Sequence, residues 1–121
     1  MKLRKILIAD DEPNIRLLVS NILSKNYIVL KAADGEEAVD VVRSQKPDLI
    51  LMDVMMPKLD GYAACHIVKT DQTTKAIPVV MLTGFGHELN KKLATAVGAD
   101  GYITKPFNSA DLLDTISQFL K

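Results

Sequence analysis

The amino-acid sequence predicts an α/β fold in which helices cover both faces of a parallel sheet. The first observation is a set of short apolar runs without alternation, such as Lys5–Ala9, which are typical of strands buried on both faces. The second is that a segment with apolar residues at helical spacing follows each run. Five such strand–helix alternations within 121 residues favour one domain with one sheet and right-handed crossovers.

The strands are recognised by their apolar content and by the residues that end them. The central strand is the run from Asp48 to Asp53, which stops at a carboxylate, and Pro57 then prevents further strand pairing. Pro78 is tolerated because it would be the first residue of its strand. In chain order the predicted strands are Lys5–Ala9, Tyr27–Leu30, the run ending at Asp53, Pro78–Leu82 and Gly101–Thr104.

The helix starts are predicted from residues that satisfy the first turn. Pro13 suits the start of the first helix, where its missing N–H costs nothing. Asp34 is expected to cap the second helix, with Glu37 reaching back. Asp60–Gly61 opens the third helix and Asn108 caps the fifth.

Apolar residues at helical spacing predict which face of each helix is buried. Lys46–Pro47 ends the second helix, and Gly98 ends the fourth as a C-terminal cap. The predicted buried positions, helix by helix, are Ile15, Leu18, Val19, Ile22 and Leu23; Ala38, Val41 and Val42; Ala63, Ala64, Ile67 and Val68; Leu89, Leu93, Ala96 and Val97; and Leu112, Leu113, Ile116, Phe119 and Leu120.

Composition limits the classes of function. The chain has 15 basic and 15 acidic residues, and the resulting net charge of zero argues against direct nucleic-acid binding. No apolar run approaches the ~20 residues that a membrane span needs. The single cysteine, Cys65, cannot form an internal disulfide and is expected to be a small packing residue on a helix. We therefore expect a cytoplasmic protein that binds neither nucleic acid nor membrane.

Polar residues follow four of the predicted strands. Asp10 and Asp11 follow the first strand, Asp53 ends the third, and Thr83 and Lys105 follow the fourth and fifth. Because the carboxyl ends of parallel strands meet at one edge, these side chains should converge. Two carboxylates about 4 Å apart repel by roughly 4 kcal/mol, so the cluster must hold a proton, a cation or both. Oxygen donors of this kind suit Mg²⁺.

Each of these residues also has an ordinary structural explanation. Asp10–Asp11 can cap the first helix, and Asp53 can be a turn carboxylate. Lys105 can be a surface lysine and Thr83 a residue at a strand end. Their joint placement at the ends of several strands favours a functional site over four separate coincidences.

The polar residues at the strand ends belong to an ordered set of motifs. These motifs are Ala9-Asp10-Asp11, Asp53 with Met56-Pro57 and Asp60-Gly61, Leu82-Thr83, Gly98 to Tyr102, and Lys105-Pro106-Phe107. The set resembles the CheY-like receiver domain of two-component response regulators over essentially the whole chain. This resemblance implies a flavodoxin-like sheet with strand order 2-1-3-4-5, an order taken from the family rather than from the residues. It also implies that residues 1–121 form one response regulator receiver domain.

The resemblance also implies the chemistry of the site. Asp53 would be the phosphoacceptor, taking a phosphoryl group from a phosphohistidine on a sensor histidine kinase or a histidine phosphotransfer protein. Asp11, Asp53 and the backbone carbonyl of Met55 would ligate Mg²⁺, and Asp10 would reach the ion through water. The chain would then be no enzyme in the usual sense, because it catalyses only its own phosphorylation and dephosphorylation.

The resemblance further implies a switch. Lys105 and Thr83 would each bind a phosphoryl oxygen, and Thr83 would move together with the ring of Tyr102. The fourth helix, fifth strand and fifth helix would form the output face for a downstream effector protein or an output domain. Residues expected on that face are Lys91, Lys92, Tyr102 and Thr104.

Two finer expectations also follow from the resemblance. The Lys105–Pro106 bond should be cis. Met55 and Phe85 should flank the approach of the water that hydrolyses the acyl phosphate, and neither can orient a water by a strong hydrogen bond. Slow self-dephosphorylation is therefore expected, unless the glycines beside Phe85 let its ring swing away.

Two other functions compete with this hypothesis. A haloacid-dehalogenase-like phosphohydrolase also forms an aspartyl phosphate, but it uses Asp-x-Asp, and the third position here is Glu12. A degenerate receiver would bind partners without phosphorylation. The residues that argue against it are Asp11, Asp53, Thr83 and Lys105. Whether the chain stands alone or was cut from a longer protein is left open by the sequence.

Overall fold

The computed structural model describes residues 2–84 and 88–120, without the side chains of residues 88–91. Phe85 and the side chains of Leu89 and Lys91 therefore lie outside the described residues. Strands and helices alternate along the chain as β1 Lys5–Ala9, α1 Pro13–Leu23, β2 Ile28–Ala32, α2 Gly35–Gln45, β3 Leu49–Asp53, α3 Gly61–Thr70, β4 Val79–Thr83, α4 Glu88–Ala96, β5 Gly101–Thr104 and α5 Ser109–Phe119.

The strands form one parallel sheet in the order β2-β1-β3-β4-β5, which confirms the predicted fold class. Ala9 pairs with Met52, so Asp10 and Asp53 reach the same level at the carboxyl edge. Asp53 pairs with Leu82, so Thr83 lies one residue beyond the level of Asp53. Thr83 in turn pairs with Thr104, and Lys105 follows directly in the chain. The register therefore brings the predicted polar residues to one edge of the sheet.

Three strands differ from their predicted bounds because pairing decides where each begins and ends, and β3 begins at Leu49 rather than at Asp48. β2 reaches Ala32 because it pairs with β1 as far as Ala9, while the N–H of Tyr27 donates to Leu23 at the end of α1. β4 includes Thr83, which pairs with β5. Pro78 contributes only its carbonyl, which accepts the N–H of Ile50.

The sheet separates two apolar cores, and every residue of β3 and β4 is buried. One core packs beneath α2 and α3 and includes Leu7, Ile50 and Cys65. Burial raises the pKa of the Cys65 thiol to about 11, as expected for a packing residue. The other core packs beneath α1 and α5 and includes Leu51 and Ile116.

The predicted helix starts are confirmed. Asp34 accepts the N–H of Glu37 at 2.8 Å, and Asp60 accepts the N–H of Ala63 at 2.9 Å. Asn108 forms a capping box with Asp111, in which each side chain accepts the other residue's N–H. These bonds satisfy N–H groups that a helix leaves without partners.

The predicted buried stripes of α1 and α5 are too wide. Leu18 is 44% exposed and Leu113 is 40% exposed, whereas Val19 and Leu112 are fully buried. Both exposed leucines lie one residue from a buried position, at the margin of the stripe. Contact with the sheet is narrower than the apolar pattern suggests.

The prediction for α4 is wrong for Leu93 and Ala96 and confirmed for Val97. Ala96 is exposed and Leu93 is 39% exposed, whereas Ala94 is 2% exposed. Val97 packs with Ala94 against the core beneath α2 and α3. Among the described side chains of α4, the small Ala94 is therefore the buried one, and Leu93 is left partly exposed to solvent.

Candidate functional site

The carboxyl edge of the sheet brings Asp10, Asp53, Thr83 and Lys105 together. Asp10 is fully buried, Asp53 is 6% exposed and Thr83 is 2% exposed. Buried carboxylates are costly unless they are paired, so their partners decide what the site can do.

Lys105 bridges the two buried carboxylates. Its Nζ donates to Oδ2 of Asp10 and to Oδ1 of Asp53, each at 2.9 Å. The backbone N–H of Lys105 donates to the carbonyl of Thr83 at 2.6 Å, which fixes the start of this side chain beside β4. The Lys105–Pro106 bond that follows is cis, as expected.

Asp10 has further fixed contacts. Its Oδ1 accepts the backbone N–H of Glu12 at 3.0 Å, so both carboxylate oxygens have partners. The guanidinium of Arg16 donates through Nη1 to the backbone carbonyl of Asp10 at 2.7 Å. The turn between β1 and α1 is therefore fixed by one hydrogen bond within the turn and by another from a side chain of α1.

The charges of the site do not balance within the protein. Burial raises the pKa of Asp53 to about 6, although the hydrogen bond from Lys105 acts in the opposite direction. Repulsion from Asp10 and Asp11 adds to the increase. Burial also opposes the charge of Lys105, but its hydrogen bonds to Asp10 and Asp53 outweigh this effect and raise its pKa. One ammonium group is therefore insufficient for the surrounding carboxylates.

Three consecutive carboxylates can supply ligands to a cation. One oxygen from each of Asp10, Asp11 and Glu12 lies within 4.8 Å of the others, with Asp11 and Glu12 exposed. An all-oxygen donor set of this charge fits Mg²⁺. Glu12 was not among the predicted ligands; its position next to Asp10-Asp11 in the sequence was the available signal. The predicted ligand atom of Met55 is its backbone carbonyl, two residues beyond Asp53, and the residue is 77% exposed.

The predicted switch residues lie on neighbouring strands. Thr83 ends β4, and Tyr102 on β5 pairs with Met81, two residues before Thr83. Tyr102 is 43% exposed, and no described atom lies within 4 Å of where a Cβ would stand on Gly84. Among the described residues there is thus open space beside the backbone of Gly84, which follows Thr83, and Tyr102 on the edge strand β5 is partly accessible.

A cleft beside Lys105 opens toward solvent. Its volume is about 360 Å³, and it lies between the start of α1 and the segment after β5. The lining is mainly apolar, and Leu18, which is 44% exposed, is part of it. Lining residues are Glu12, Ile15, Leu18, Gly84, Lys105, Pro106 and Phe107.

Comparison with known proteins is consistent with this geometry. A family model described as "Response regulator receiver domain" matches residues 6–117. The alkaline phosphatase synthesis transcriptional regulatory protein PhoP of Bacillus subtilis is 41% identical over 119 residues, which are 98% of this chain and 49% of PhoP. The chain spans about half the length of the curated relatives it matches.

Two solved structures share the fold over nearly the whole chain. Vibrio cholerae chemotaxis protein CheY4 has a TM-score of 0.93 and 37% identity, with 98% of this chain and 100% of that chain covered. The receiver domain of sensor histidine kinase PA1611 from Pseudomonas aeruginosa has a TM-score of 0.90 and 28% identity, with 98% of both chains covered. That structure has a magnesium ion coordinated in its active site cleft.

In residues 2–84 and 88–120, no helix is both long enough and apolar enough to cross a membrane.

Proposed function

Because this chain belongs to the response regulator receiver domain family, we propose that it is a phosphoacceptor signalling module that carries a phosphoryl group on Asp53. The observation that carries the assignment is the bridge from Lys105 to both buried carboxylates, each at 2.9 Å. Asp53 is the bridged residue that ends the central strand, and burial raises its pKa to about 6, with a smaller contribution from repulsion by Asp10 and Asp11. A site of this kind is prepared to receive a cation and a charged substrate.

The proposed reaction is a transfer from phosphohistidine to carboxylate. A carboxylate oxygen of Asp53 forms a bond to phosphorus while the phosphorus–nitrogen bond breaks. The bonding electron pair leaves on the imidazole nitrogen, which takes a proton from solvent. Because phosphoryl transfer has a loose transition state, positioning and charge neutralisation supply most of the catalysis. Lys105 stabilises the charge on the transferred oxygens, and the Thr83 hydroxyl donates to another of them.

The carboxylates beside Asp53 are the proposed magnesium ligands. Asp11, Asp53 and the carbonyl of Met55 would hold the ion, and Asp10 would contact it through water. Glu12 adds a further carboxylate, one oxygen of which lies within 4.8 Å of an oxygen from each of Asp10 and Asp11. Mg²⁺ bound there would neutralise charge on the phosphoryl oxygens. Asp53 needs its ionised form as nucleophile, so charge neutralisation by Lys105 also favours the reactive state.

The proposed output is a change at the face formed by α4, β5 and α5. Thr83 moves toward the phosphoryl group, and Tyr102 occupies the space that it leaves. This links a local change of charge to a packing change. The exposed ring of Tyr102 and the side chains of Lys92 and Thr104 are available for a downstream effector protein or an output domain.

The proposed partners follow from the chemistry. The phosphoryl donor is a sensor histidine kinase or a histidine phosphotransfer protein, and the apolar cleft beside Lys105 gives it a surface next to the site. The chain, residues 1–121, acts as one receiver domain in the cytoplasm. It catalyses only its own phosphorylation and dephosphorylation.

Trapping the acyl phosphate tests the proposal. We expect incubation with Mg²⁺ and acetyl phosphate, followed by borohydride reduction and peptide mass mapping, to place the modification on Asp53. Asp53→Ala should remove the label, whereas Asp40→Ala, at an exposed carboxylate on α2, should keep it. Labelling that persists in Asp53→Ala would refute the assignment. Repeated turnover of phosphate esters would instead favour a phosphohydrolase.

A further inference from the structure

The segment between Asp53 and α3 is held tightly at the end nearest the phosphoacceptor. We call residues 54–60 the phosphoacceptor loop. Gly61, the first residue of α3, donates its N–H to the carbonyl of Val54 at 2.8 Å. A Cβ on Gly61 would overlap the carbonyl oxygen of Asp53 and stand 2.8 Å from its carbonyl carbon. Only glycine allows this approach of the helix to the backbone of Asp53.

The far end of the phosphoacceptor loop is held by a different helix. Gly35 is the first residue of α2, and a Cβ there would overlap the carbonyl oxygen of Leu59. It would also stand 2.6 Å from the carbonyl carbon and 2.8 Å from the Cβ of Leu59. Beside this contact, Nζ of Lys58 lies 3.6 Å from Oδ2 of Asp34, the N-cap of α2.

The middle of the phosphoacceptor loop is a tight turn with an unfavourable backbone conformation. Lys58 has a φ of 69°, a region that side chains other than glycine rarely adopt. The N–H of Leu59 donates to the carbonyl of Pro57 at 2.8 Å, so the turn contains only three residues. Strained backbone persists only where its surroundings fix it, and here the surroundings are the two helix starts.

We propose that Gly35 is a positioning residue for the phosphorylation site, although α2 contributes no side chain to that site. This inference rests on the proposed function. Contact with the start of α2 fixes the position of Leu59. Because the phosphoacceptor loop is short, the position of Leu59 also constrains the positions of Met55 and Asp53. Any side chain at position 35 must push the loop away, because the opposing atoms are backbone. A misplacement of about 1 Å can slow an enzymatic reaction by ~10²-fold, even from a distant residue.

Gly35→Ala tests the inference, with Gly98→Ala as the matched control. Gly98 has a φ of 87° and ends α4, so its replacement strains the backbone without touching the phosphoacceptor loop. We expect Gly35→Ala to lower the limiting rate of labelling by acetyl phosphate about 10- to 100-fold. Its Mg²⁺ affinity, measured by calorimetry without a phosphodonor, should fall several-fold. Gly98→Ala, at equal or lower stability to urea, should change either quantity by less than about 2-fold.

A second pair of variants adds no atoms, so it tests the inference even where Gly35→Ala does not fold. Lys58→Gly frees the strained turn, and Lys58→Ala removes the same side chain but keeps the restricted backbone. We expect Lys58→Gly to lower the labelling rate at least about 3-fold without loss of stability. Lys58→Ala should label at the parent rate, because the Lys58 side chain is 62% exposed and its 3.6 Å ion pair with Asp34 contributes little.

The two proposals fail in different ways. A parent chain that is never labelled on Asp53 would refute the proposed function. A labelled parent, together with a folded Gly35→Ala that reacts and binds Mg²⁺ like the parent, would overturn the positioning role of Gly35. Equal rates for Lys58→Gly and Lys58→Ala would also contradict it.

Discussion

At the scale of single residues, the site is governed by one ammonium group among several carboxylates. Lys105 pairs with both Asp10 and Asp53, yet the pKa of Asp53 is still raised to about 6 because burial outweighs the hydrogen bond. Asp11 and Glu12 add negative charge at the exposed side. The folded protein thus maintains an arrangement that is unfavourable without a further cation, as expected where stability is given up for function.

The first prediction concerns the pH dependence of stability. A carboxyl group whose pKa is raised in the folded protein stabilises the fold below its usual value, 3.8 here, and loses that contribution as pH rises through about 6. Asp53→Asn should therefore increase the free energy of unfolding at pH 7.5 without divalent cations, by about 1–3 kcal/mol. The gain should shrink toward zero as pH falls below 6.

Urea unfolding between pH 4.5 and 8, in the presence of a chelator, measures this effect. Asp40→Asn is the control, because it removes an exposed carboxylate far from Lys105 along the chain. A gain in Asp53→Asn that does not vary with pH would contradict the explanation by charge.

The second prediction concerns the lifetime of the acyl phosphate. The exposed thioether of Met55 cannot orient a water for attack on phosphorus. We expect Met55→Asn to accelerate loss of the phosphoryl group several-fold, and Met55→Asn with Phe85→Glu to accelerate it further. Phe85 lies outside the described residues, so its part rests on the sequence. Decay of the phosphorylated parent and variants in Mg²⁺, after acetyl phosphate has been removed, gives the rates; an unchanged rate in the double variant would show that water access is not limiting.

At the scale of secondary-structure elements, the helix starts determine where the loops of the site stand. The starts of α2, α3 and α5 are closed by side-chain hydrogen bonds from Asp34, Asp60 and Asn108. By contrast, α1 begins without a side-chain cap at Glu12. The carboxylate of Glu12 instead lies with those of Asp10 and Asp11. The residue at the N-cap position of α1 therefore belongs to the acidic cluster and does not cap the helix with its side chain.

The third prediction concerns the capping box of α5. Asn108→Ala removes the acceptor for the N–H of Asp111, and it should lower the free energy of unfolding by about 1 kcal/mol. Asn108→Asp keeps an acceptor there and should retain most of the parent stability. Urea unfolding curves for the three proteins measure the difference. Equal loss in both variants would mean that the side-chain cap is not the cause.

At the scale of the whole molecule, the sheet separates two apolar cores. Ile50 belongs to the core beneath α2 and α3, and Ile116 belongs to the core beneath α1 and α5. The site lies at the edge where both cores end, so its residues are held from both faces. Lys105 and Asp10 are 95 residues apart in the sequence, and their side chains form a hydrogen bond at this edge.

The fourth prediction concerns the independence of the two cores. Ile50→Val and Ile116→Val should each cost about 0.5–1.5 kcal/mol of unfolding free energy. In the double variant the two costs should add to within about 0.5 kcal/mol, because the residues share no core cluster. Urea unfolding of the single and double variants measures the coupling. A coupling of more than about 1 kcal/mol would show that strain passes through the sheet.

The sequence by itself determined the order of the elements and the edge where the polar residues gather. Unbroken apolar runs mark strands buried on both faces, and Asp34, Asp60 and Asn108 mark helix starts, because these signals act within a few residues. Parallel topology then places every strand end on one side, so Asp10 and Asp53 could be expected near one another. The roles of these residues in phosphorylation stay predictions.

Only the tertiary structure decided which side chains make contact. That Lys105 binds both buried carboxylates, that α4 packs through Ala94 rather than Ala96, and that Gly35 meets Leu59 all depend on distant segments. Periodicity gives a helix an apolar stripe, but the neighbouring elements choose which part of that stripe is buried. Likewise, the sequence shows that a carboxylate stands at a strand end. Its hydrogen-bond partner and its pKa depend on groups that folding brings beside it.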